Sequence, residues 1–148
     1  MLVLGVRCTK DKLDWAVVEG EDRGSALVVE HRQVDIPAGN RGAELAWVRK
    51  EINELLARYT VDAAAVRVAE GGGPSVSLGR AEVEGVVQEA LSSAGLPAAR
   101  HVAATIRGAY GARTKAELDS LLKGVSAVAI TAASRREPVI SAVALLPR

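Results

Sequence analysis

The strongest constraint on the fold of this chain is a change in the spacing of its apolar residues. The first third holds three short β-forming runs, at 2–8, 13–19 and 26–36, and charged turns separate them. In the third run Val34 and Ile36 alternate with polar neighbours, which is typical of a strand with one buried face. Three successive strands joined by tight turns predict an antiparallel meander.

The spacing becomes helical after the third run. Between residues 43 and 59 the apolar positions recur at intervals of three, four and seven, which predicts an amphipathic helix. The run that follows, 63–69, is apolar throughout except for Arg67. A short and nearly continuous apolar run after a helix is typical of a central parallel strand that is covered on both faces.

The next segments continue the alternation of helix and strand. Ser77 is a candidate cap for a second helix, and Gly95 is the expected exit from it. Residues 100–104 then favour a fifth strand, and 105–110 favour a short helical turn.

The last part of the chain is predicted to be mainly helical. Thr114, with Glu117 three residues later, has the pattern of a capping box for a further short helix. The pattern at 125–131 fits either a strand or a helix, and 138–146 favours a final helix with proline in its first turn. We therefore expect one α/β domain that spans residues 1–148.

The amino-acid composition of the chain argues against several classes of function. The 148 residues carry 19 basic and 18 acidic side chains and no phenylalanine, so neither net charge nor aromatic content favours a nucleic-acid-binding surface. The single cysteine, Cys8, excludes an internal disulfide and a cysteine-based zinc site, and its apolar strand predicts a buried thiol. With no signal peptide and no apolar stretch long enough to cross a bilayer, we expect a soluble, cytoplasmic protein without a membrane partner.

Three segments resemble a known family. They are LGVRCTKDKLDWAVVEG at 4–20, RYTVDAAAVRVAE at 58–70 and SLGRAEVEGVVQEALSSAGLP at 77–97. Their order and spacing resemble the ribonuclease H-like superfamily, and most closely its RuvC-type Holliday-junction resolvases. The resemblance implies an α/β fold with a mixed five-stranded sheet, in which a three-stranded antiparallel meander is joined by two parallel strands and helices cover both faces.

The resemblance also implies a catalytic site that this chain lacks. In the family, carboxylates at the ends of adjacent strands hold two Mg²⁺ ions that activate water for phosphodiester hydrolysis. The matching positions here are Arg7, Arg67, Thr114 and Val139, and none of them is acidic. Because arginine cannot coordinate Mg²⁺ and repels it, we expect a catalytically inactive binding or scaffold module that uses no cofactor or metal.

Two roles for the paired arginines remain open at this point. Strands one and four are neighbours in this fold, so Arg7 and Arg67 should lie side by side. They can belong to an internal ion-pair network, for which the candidate acids are Asp14, Glu70, Glu82 and Glu84. Alternatively, they can form an anion or phosphate site together with Lys115 and the amides of the glycine loop. That loop, EGGGPS at 70–75, lacks the ending of a Walker motif and is interpreted mainly as a connector.

Two other function classes are weaker alternatives. A metal-dependent nuclease would require relocated acids, for which Asp11, Asp14 and Glu70 are the candidates. A nucleic-acid-binding protein is the other alternative. The resemblance implies paired subunits, so a homodimer or another protein partner is expected.

Several remaining residues are predicted to have ordinary structural roles. His31 and His101 stand alone without metal-ligand spacing and are interpreted as polar positions. Trp15 and Trp47 are expected to pack or to lie at an interface, and the basic stretch 134–136 is expected in a solvated loop.

Overall fold

In the computed structural model, which describes residues 1–71 and 77–148, five strands form one mixed sheet in the order β3-β2-β1-β4-β5. The strands are β1 (Leu2–Cys8), β2 (Lys12–Glu19), β3 (Leu27–Asp35), β4 (Ala63–Arg67) and β5 (Ala99–His101). The first three pair antiparallel, whereas β4 pairs parallel with β1 and β5 pairs parallel with β4. The predicted meander with two added parallel strands is confirmed.

The described chain also contains six α-helices and one short 3-10 turn. They are α1 (Arg41–Arg58), α2 (Leu78–Ser93), α3 (Ala103–Tyr110), α4 (Lys115–Leu122), α5 (Ser126–Ala129) and α6 (Arg136–Val143), with the 3-10 turn at Ala133–Arg135. Ser77 caps α2 by accepting a hydrogen bond from the Arg80 amide, and Thr114 caps α4 by accepting one from the Glu117 amide. Both predicted caps are present, and they satisfy amide groups that a helix start leaves without partners.

The two uncertain segments near the end of the chain are both helical. Residues 125–131, which fitted strand or helix, contain α5. The last helix begins at Arg136, two residues before the predicted start at Pro138. Pro138 is still in the first turn, where its missing amide hydrogen costs no hydrogen bond.

Helices cover both faces of the sheet, as predicted. On one face Leu4, Val6 and Trp15 pack against the buried residues of α1 and α2. On the other face Val3 and Val18 pack against the buried residues of α6. Successive strand residues point to opposite faces, so the alternation along β1 and β2 assigns each residue to one of these two layers.

Helix α6 lies directly against the backbone of β1 at Gly5. A Cβ atom added to Gly5 would lie 1.9 Å from the carbonyl oxygen of Pro138 and 2.8 Å from the Ala142 amide nitrogen. Only glycine allows two backbones to approach this closely. This contact places the start of α6 over the carboxyl ends of β1 and β4. None of the helices described is both long enough and apolar enough to cross a membrane.

Candidate anion-binding cleft

A row of polar side chains crosses the sheet at the carboxyl ends of its parallel strands. Cα pairing connects one residue from each strand, in the order Gln33, Asp14, Arg7, Arg67 and His101. Directly paired residues project to the same face of a sheet, which here is the face covered by α6. The carboxyl ends of parallel strands are where open α/β sheets bind their ligands, so this row is the candidate site.

Arg67 is held by partners from three elements. Its Nε donates a hydrogen bond to Oε2 of Glu137 on α6 at 3.0 Å, and one Nη atom donates to the carbonyl oxygens of Val68 and His101. The other Nη atom lies 3.9 Å from a carboxylate oxygen of Glu70. The predicted internal ion-pair network therefore exists at Arg67, and Glu70 is one of its predicted acids.

Arg7 differs from Arg67 in this respect. It lies beside Arg67 in the parallel register, but its guanidinium makes no hydrogen bond or salt bridge with any residue in the described part of the chain. Its other cross-strand neighbour, Asp14, is hydrogen-bonded elsewhere. A guanidinium carries five N–H donors, so Arg7 brings unused donor capacity to the row.

Arg7 and Arg67 line a small pocket that we call the arginine pocket. Its volume is about 120 Å³, and its charged lining residues are Arg7, Arg67, Arg80, Glu70 and Glu137. Three guanidinium groups thus face two carboxylates, which leaves an excess of positive charge. The donors of a guanidinium match the oxygens of a phosphate or carboxylate in geometry and charge.

The buried carboxylate of Glu84 holds two of the residues that line the arginine pocket. Glu84 on α2 is 4% exposed and accepts hydrogen bonds from the Ala69 amide at its two oxygens, at 3.1 and 3.0 Å. It also lies 3.3 Å from Nε of Arg80, a contact whose angle does not meet hydrogen-bond geometry, so this nitrogen has a charge partner without a hydrogen bond. The Nη2 atom of Arg80 in turn donates to the carbonyl oxygen of Arg67. Glu84 therefore positions Arg80 and the segment after β4 and does not pair with Arg7 or Arg67.

The other predicted acidic partners are also engaged elsewhere. Glu82 forms an ion pair with Arg41, with 3.2 Å between the nitrogen and the oxygen. Asp14 is 3% exposed, and its carboxylate lies 2.8 Å from Nε2 of His31. Burial raises the pKa of Asp14, and the hydrogen bond with His31 acts in the opposite direction. Of the four predicted acids, only Glu70 forms an ion pair with one of the paired arginines, whereas Asp14 lies beside Arg7 in the sheet and pairs with His31.

His101, which was interpreted as an ordinary polar position, ends the polar row and is buried. It is 5% exposed, and its Nδ1 has no hydrogen-bond partner among the described residues. Burial lowers the pKa of His101, and the charge of Arg67 lowers it further. His31 likewise has a specific role as the partner of Asp14.

Lys115 lies near the arginine pair without sharing the arginine pocket. It lines a second, central pocket of about 180 Å³ together with Arg67, Glu137 and Arg107. It also lines a third, outer pocket of about 660 Å³ between α4, α5 and α6. Glu137 lines all three pockets, so they adjoin one another along the start of α6, and we call the three together the cleft.

The two remaining family-matched positions lie outside the arginine pocket. Thr114 caps α4, and Val139 is fully buried on the face of α6 that packs against the sheet. The residue of α6 that lines the arginine pocket is Glu137, two positions before Val139. Sequence reasoning missed Glu137 because the last helix was expected to begin at Pro138. The available signal was an acidic residue directly before the proline of a helix start, where carboxylates are favoured.

The acids proposed for a relocated metal site are not brought together. Asp11 accepts a hydrogen bond from the Thr9 hydroxyl in the first turn, and Asp14 pairs with His31. Glu70 accepts a hydrogen bond from the Ala103 amide at 2.7 Å, where it caps α3. Within residues 1–71 and 77–148, no group of three His, Cys, Asp or Glu side chains is arranged to hold a metal ion.

The remaining predictions concern residues around the cleft. Cys8 is buried, as expected. Trp15 belongs to the hydrophobic core, and the partly buried Trp47 packs against that core. Arg136 belongs to α6 and donates to the Thr131 carbonyl oxygen, so the basic stretch 134–136 is not simply a solvated loop. The glycine-loop amides were predicted to help bind an anion, but most of that loop falls in 72–76, outside the described residues.

Comparison with known protein structures identifies proteins of similar fold. No protein-family model matches this chain, and no curated protein matches it. Among solved structures it is similar to RuvC from Thermus thermophilus, with a TM-score of 0.76 at 18% identity over 97% of this chain and 92% of that one. It is also similar to T. thermophilus RuvC in complex with a Holliday junction substrate, with a TM-score of 0.73 at 17% identity over 97% and 91% of the two chains. The chain therefore has a RuvC-like, ribonuclease H-like fold, as the sequence predicted.

Proposed function

We propose that this chain is a RuvC-like domain that binds a phosphate-bearing ligand at the carboxyl ends of β1 and β4 and does not hydrolyse it. The observation that carries the proposal is Arg7. Its guanidinium lines the arginine pocket next to Arg67 and has no acceptor among the described residues. Two neighbouring guanidinium groups repel each other, and an anion between them removes that repulsion and accepts their hydrogen bonds.

The charge of the whole cleft supports a phosphate ligand. The basic residues that line its three pockets are Arg7, Arg67, Arg80, Arg107, Lys115, Lys123 and Arg136, and the acidic ones are Glu70, Asp119 and Glu137. A chain with a net charge of only +1 thus concentrates positive charge in one concave surface. Such a concentration attracts phosphate groups even when the average composition does not.

The absence of hydrolysis is proposed from the chemistry at the strand ends. A two-metal mechanism needs carboxylates that hold a pair of divalent cations. Arg7 and Arg67 put positive charges at the ends of two adjacent strands, which repel such ions. The carboxylates of Glu70 and Glu137 pair with Arg67, Glu70 also accepts a hydrogen bond from the Ala103 amide, and Asp14 beside Arg7 pairs with His31.

Titration calorimetry with three phosphate sources at one stated ionic strength tests the binding part of this proposal. Inorganic phosphate, a nucleoside monophosphate and a four-way DNA junction separate a small-anion site from a polynucleotide site. Binding of any of them, with competition by inorganic phosphate, is expected. The absence of a heat signal in calorimetry with all three ligands, and of a chemical-shift change in NMR spectra of the same mixtures, would contradict the proposed binding. Repeating the DNA titration at several salt concentrations counts the phosphates engaged, because the affinity falls with log salt in proportion to their number.

The DNA junction also tests whether the chain is inactive. With Mg²⁺ or Mn²⁺ present, the junction is expected to remain intact. Metal-dependent cleavage that is lost in a Glu70→Gln or Glu137→Gln variant would establish the nuclease alternative. The paired subunits that the resemblance implies remain a prediction, and sedimentation velocity of the free protein tests them.

A further inference from the structure

Two neighbouring pockets of the cleft, the arginine pocket and the central pocket, differ in chemical character. The arginine pocket is lined mainly by charged side chains. The central pocket, by contrast, has an apolar floor of Ala103, Ile106, Leu118, Leu122 and Ile140. Arg67 and Glu137 belong to both pockets, so one ligand can contact both at once.

The apolar floor of the central pocket comes from three helices. Ile106 of α3 and Leu122 of α4 are 4% and 8% exposed, and Leu118 and Ile140 are partly exposed beside them. The central pocket adjoins the outer pocket of about 660 Å³, and Leu122, Ile140 and Lys115 line both. The central pocket therefore offers an apolar surface next to Arg67 and Glu137.

The lining residues indicate what kind of ligand body fits. No tryptophan or tyrosine is among the described residues that line the central and outer pockets, and the chain has no phenylalanine. Binding of a nucleobase usually relies on stacking against an aromatic ring. Branched aliphatic side chains instead match an aliphatic body, whose burial is non-directional and increases with area.

We propose that the cleft binds an organic phosphate monoester, with its phosphate between Arg7 and Arg67 and its aliphatic body on the floor of the central pocket. This inference rests on the proposed function, because the phosphate end uses the same two arginines. The charged side chains that line the central pocket are those of Arg67, Arg107, Lys115, Asp119 and Glu137, so positive charge is in excess there and complements the negative charge of such a ligand. Glu137 lies where the two pockets meet, so the phosphate has to displace its carboxylate from Arg67.

A homologous series of ligands tests the inference. Calorimetry compares inorganic phosphate, butyl phosphate and hexyl phosphate, with hexanol as the ligand that lacks the charge. Each methylene that is fully buried strengthens binding by up to about fourfold. We expect hexyl phosphate to bind at least about tenfold more tightly than inorganic phosphate, and hexanol not to bind measurably.

Two matched variants on α4 locate the aliphatic chain. Leu118→Gln places a polar group on the floor of the central pocket, whereas Leu121→Gln makes the same change at a side chain that is 47% exposed and outside it. Leu118→Gln should remove most of the gain in affinity from butyl to hexyl phosphate. Leu121→Gln should leave that gain unchanged. If the affinity increased equally from butyl to hexyl phosphate in both variants, the aliphatic chain would not lie on the floor of the central pocket.

Titration of the unmodified protein provides a test that does not depend on variants folding. Hexyl phosphate should shift the methyl resonances of Ile106, Leu118 and Ile140, and inorganic phosphate should not. If inorganic phosphate binds through Arg7 and Arg67 but the hexyl group adds no affinity, this inference is wrong and the proposed function stands. If a nucleoside monophosphate binds more tightly than hexyl phosphate, the aliphatic class is wrong. If no phosphate binds at all, the proposed function fails.

Discussion

The Nε atom of Arg67 donates a hydrogen bond to Oε2 of Glu137 across 3.0 Å, which joins the end of β4 to the start of α6. The two residues are 70 positions apart in the chain, and their contact lies in the middle of the cleft. Glu137 thus occupies, with its own carboxylate, part of the surface on which an external anion would bind.

Removing the charge of Glu137 should strengthen phosphate binding. In Glu137→Gln, Arg67 loses its internal competitor and the cleft becomes more positive, so we expect the affinity for inorganic phosphate to rise about two- to fivefold. This range corresponds to the modest energy of a partly exposed ion pair. Calorimetry at low salt measures it.

Glu54→Gln is the matched control for this change in charge. Glu54 is exposed on α1 and pairs with Lys50, away from the cleft. The control should leave the phosphate affinity unchanged. An equal increase in both variants would mean that net charge, and not the Arg67 contact, controls binding.

Substituting Gly5 by alanine should destabilise the fold. The new Cβ would overlap the Pro138 carbonyl oxygen, which is backbone and cannot move without displacing α6. We expect a loss of about 3 kcal/mol or more in the free energy of unfolding, at the upper end of the range for overpacked cores. Urea denaturation measures it.

Gly85→Ala is the corresponding control in an open position. A Cβ at Gly85 meets no atom within 4 Å, and the residue lies inside α2. This change should stabilise the protein by about 0.5–1 kcal/mol, because alanine has the higher helix propensity. Equal effects of the two substitutions would contradict the close contact between α6 and β1.

Removing the carboxylate of Glu84 should also be costly. In Glu84→Ala the Ala69 amide loses its acceptor and Arg80 loses its ion-pair partner. Since breaking a buried pair leaves an uncompensated charge, we expect a loss of about 3 kcal/mol in the free energy of unfolding. The exposed Glu82→Ala change on the same helix, which breaks the pair with Arg41, should cost less than about 1 kcal/mol. Similar losses for both would contradict the supporting role of Glu84.

The buried thiol of Cys8 should make stability depend on pH above 9. Burial raises the pKa of Cys8 from 9.0 to about 12, so the unfolded chain loses this proton at a lower pH than the folded chain. The stabilising contribution is therefore complete below pH 9 and is lost progressively as the pH rises from 9 towards 12. Relative to Cys8→Ala, the free energy of unfolding should fall by about 1.4 kcal/mol between pH 8 and 10. Urea denaturation of the two proteins in reducing buffer measures this difference, and parallel pH profiles would contradict it.

The sheet was predictable because its signals are local. Apolar alternation located the meander, and the apolar run that ends at Arg67 located the central strand. The strand order implied by the family resemblance, added to these two strand ends, predicted that Arg7 and Arg67 are neighbours, and the parallel pairing of β1 with β4 places them side by side.

The partners of the arginines were less predictable because they depend on packing between distant elements. Glu137 reaches Arg67 only because α6 rests on Gly5, and a sequence pattern does not specify that contact. Glu84 was a reasonable candidate by charge, but its place on α2 directs it to Ala69 and Arg80. The central pocket arises from short helices whose relative positions have no periodic signal.

The affinity of the Arg7→Ala/Arg67→Ala variant for inorganic phosphate tests the central claim most directly. Lys50→Ala/Arg100→Ala is the control, because it removes the same charge from two exposed positions away from the cleft. Each charge-assisted hydrogen-bonding group contributes about 1.5–3 kcal/mol, so the cleft variant should bind at least about tenfold more weakly than the control in low-salt calorimetry. Equal dissociation constants for the two variants would contradict a phosphate site at Arg7 and Arg67.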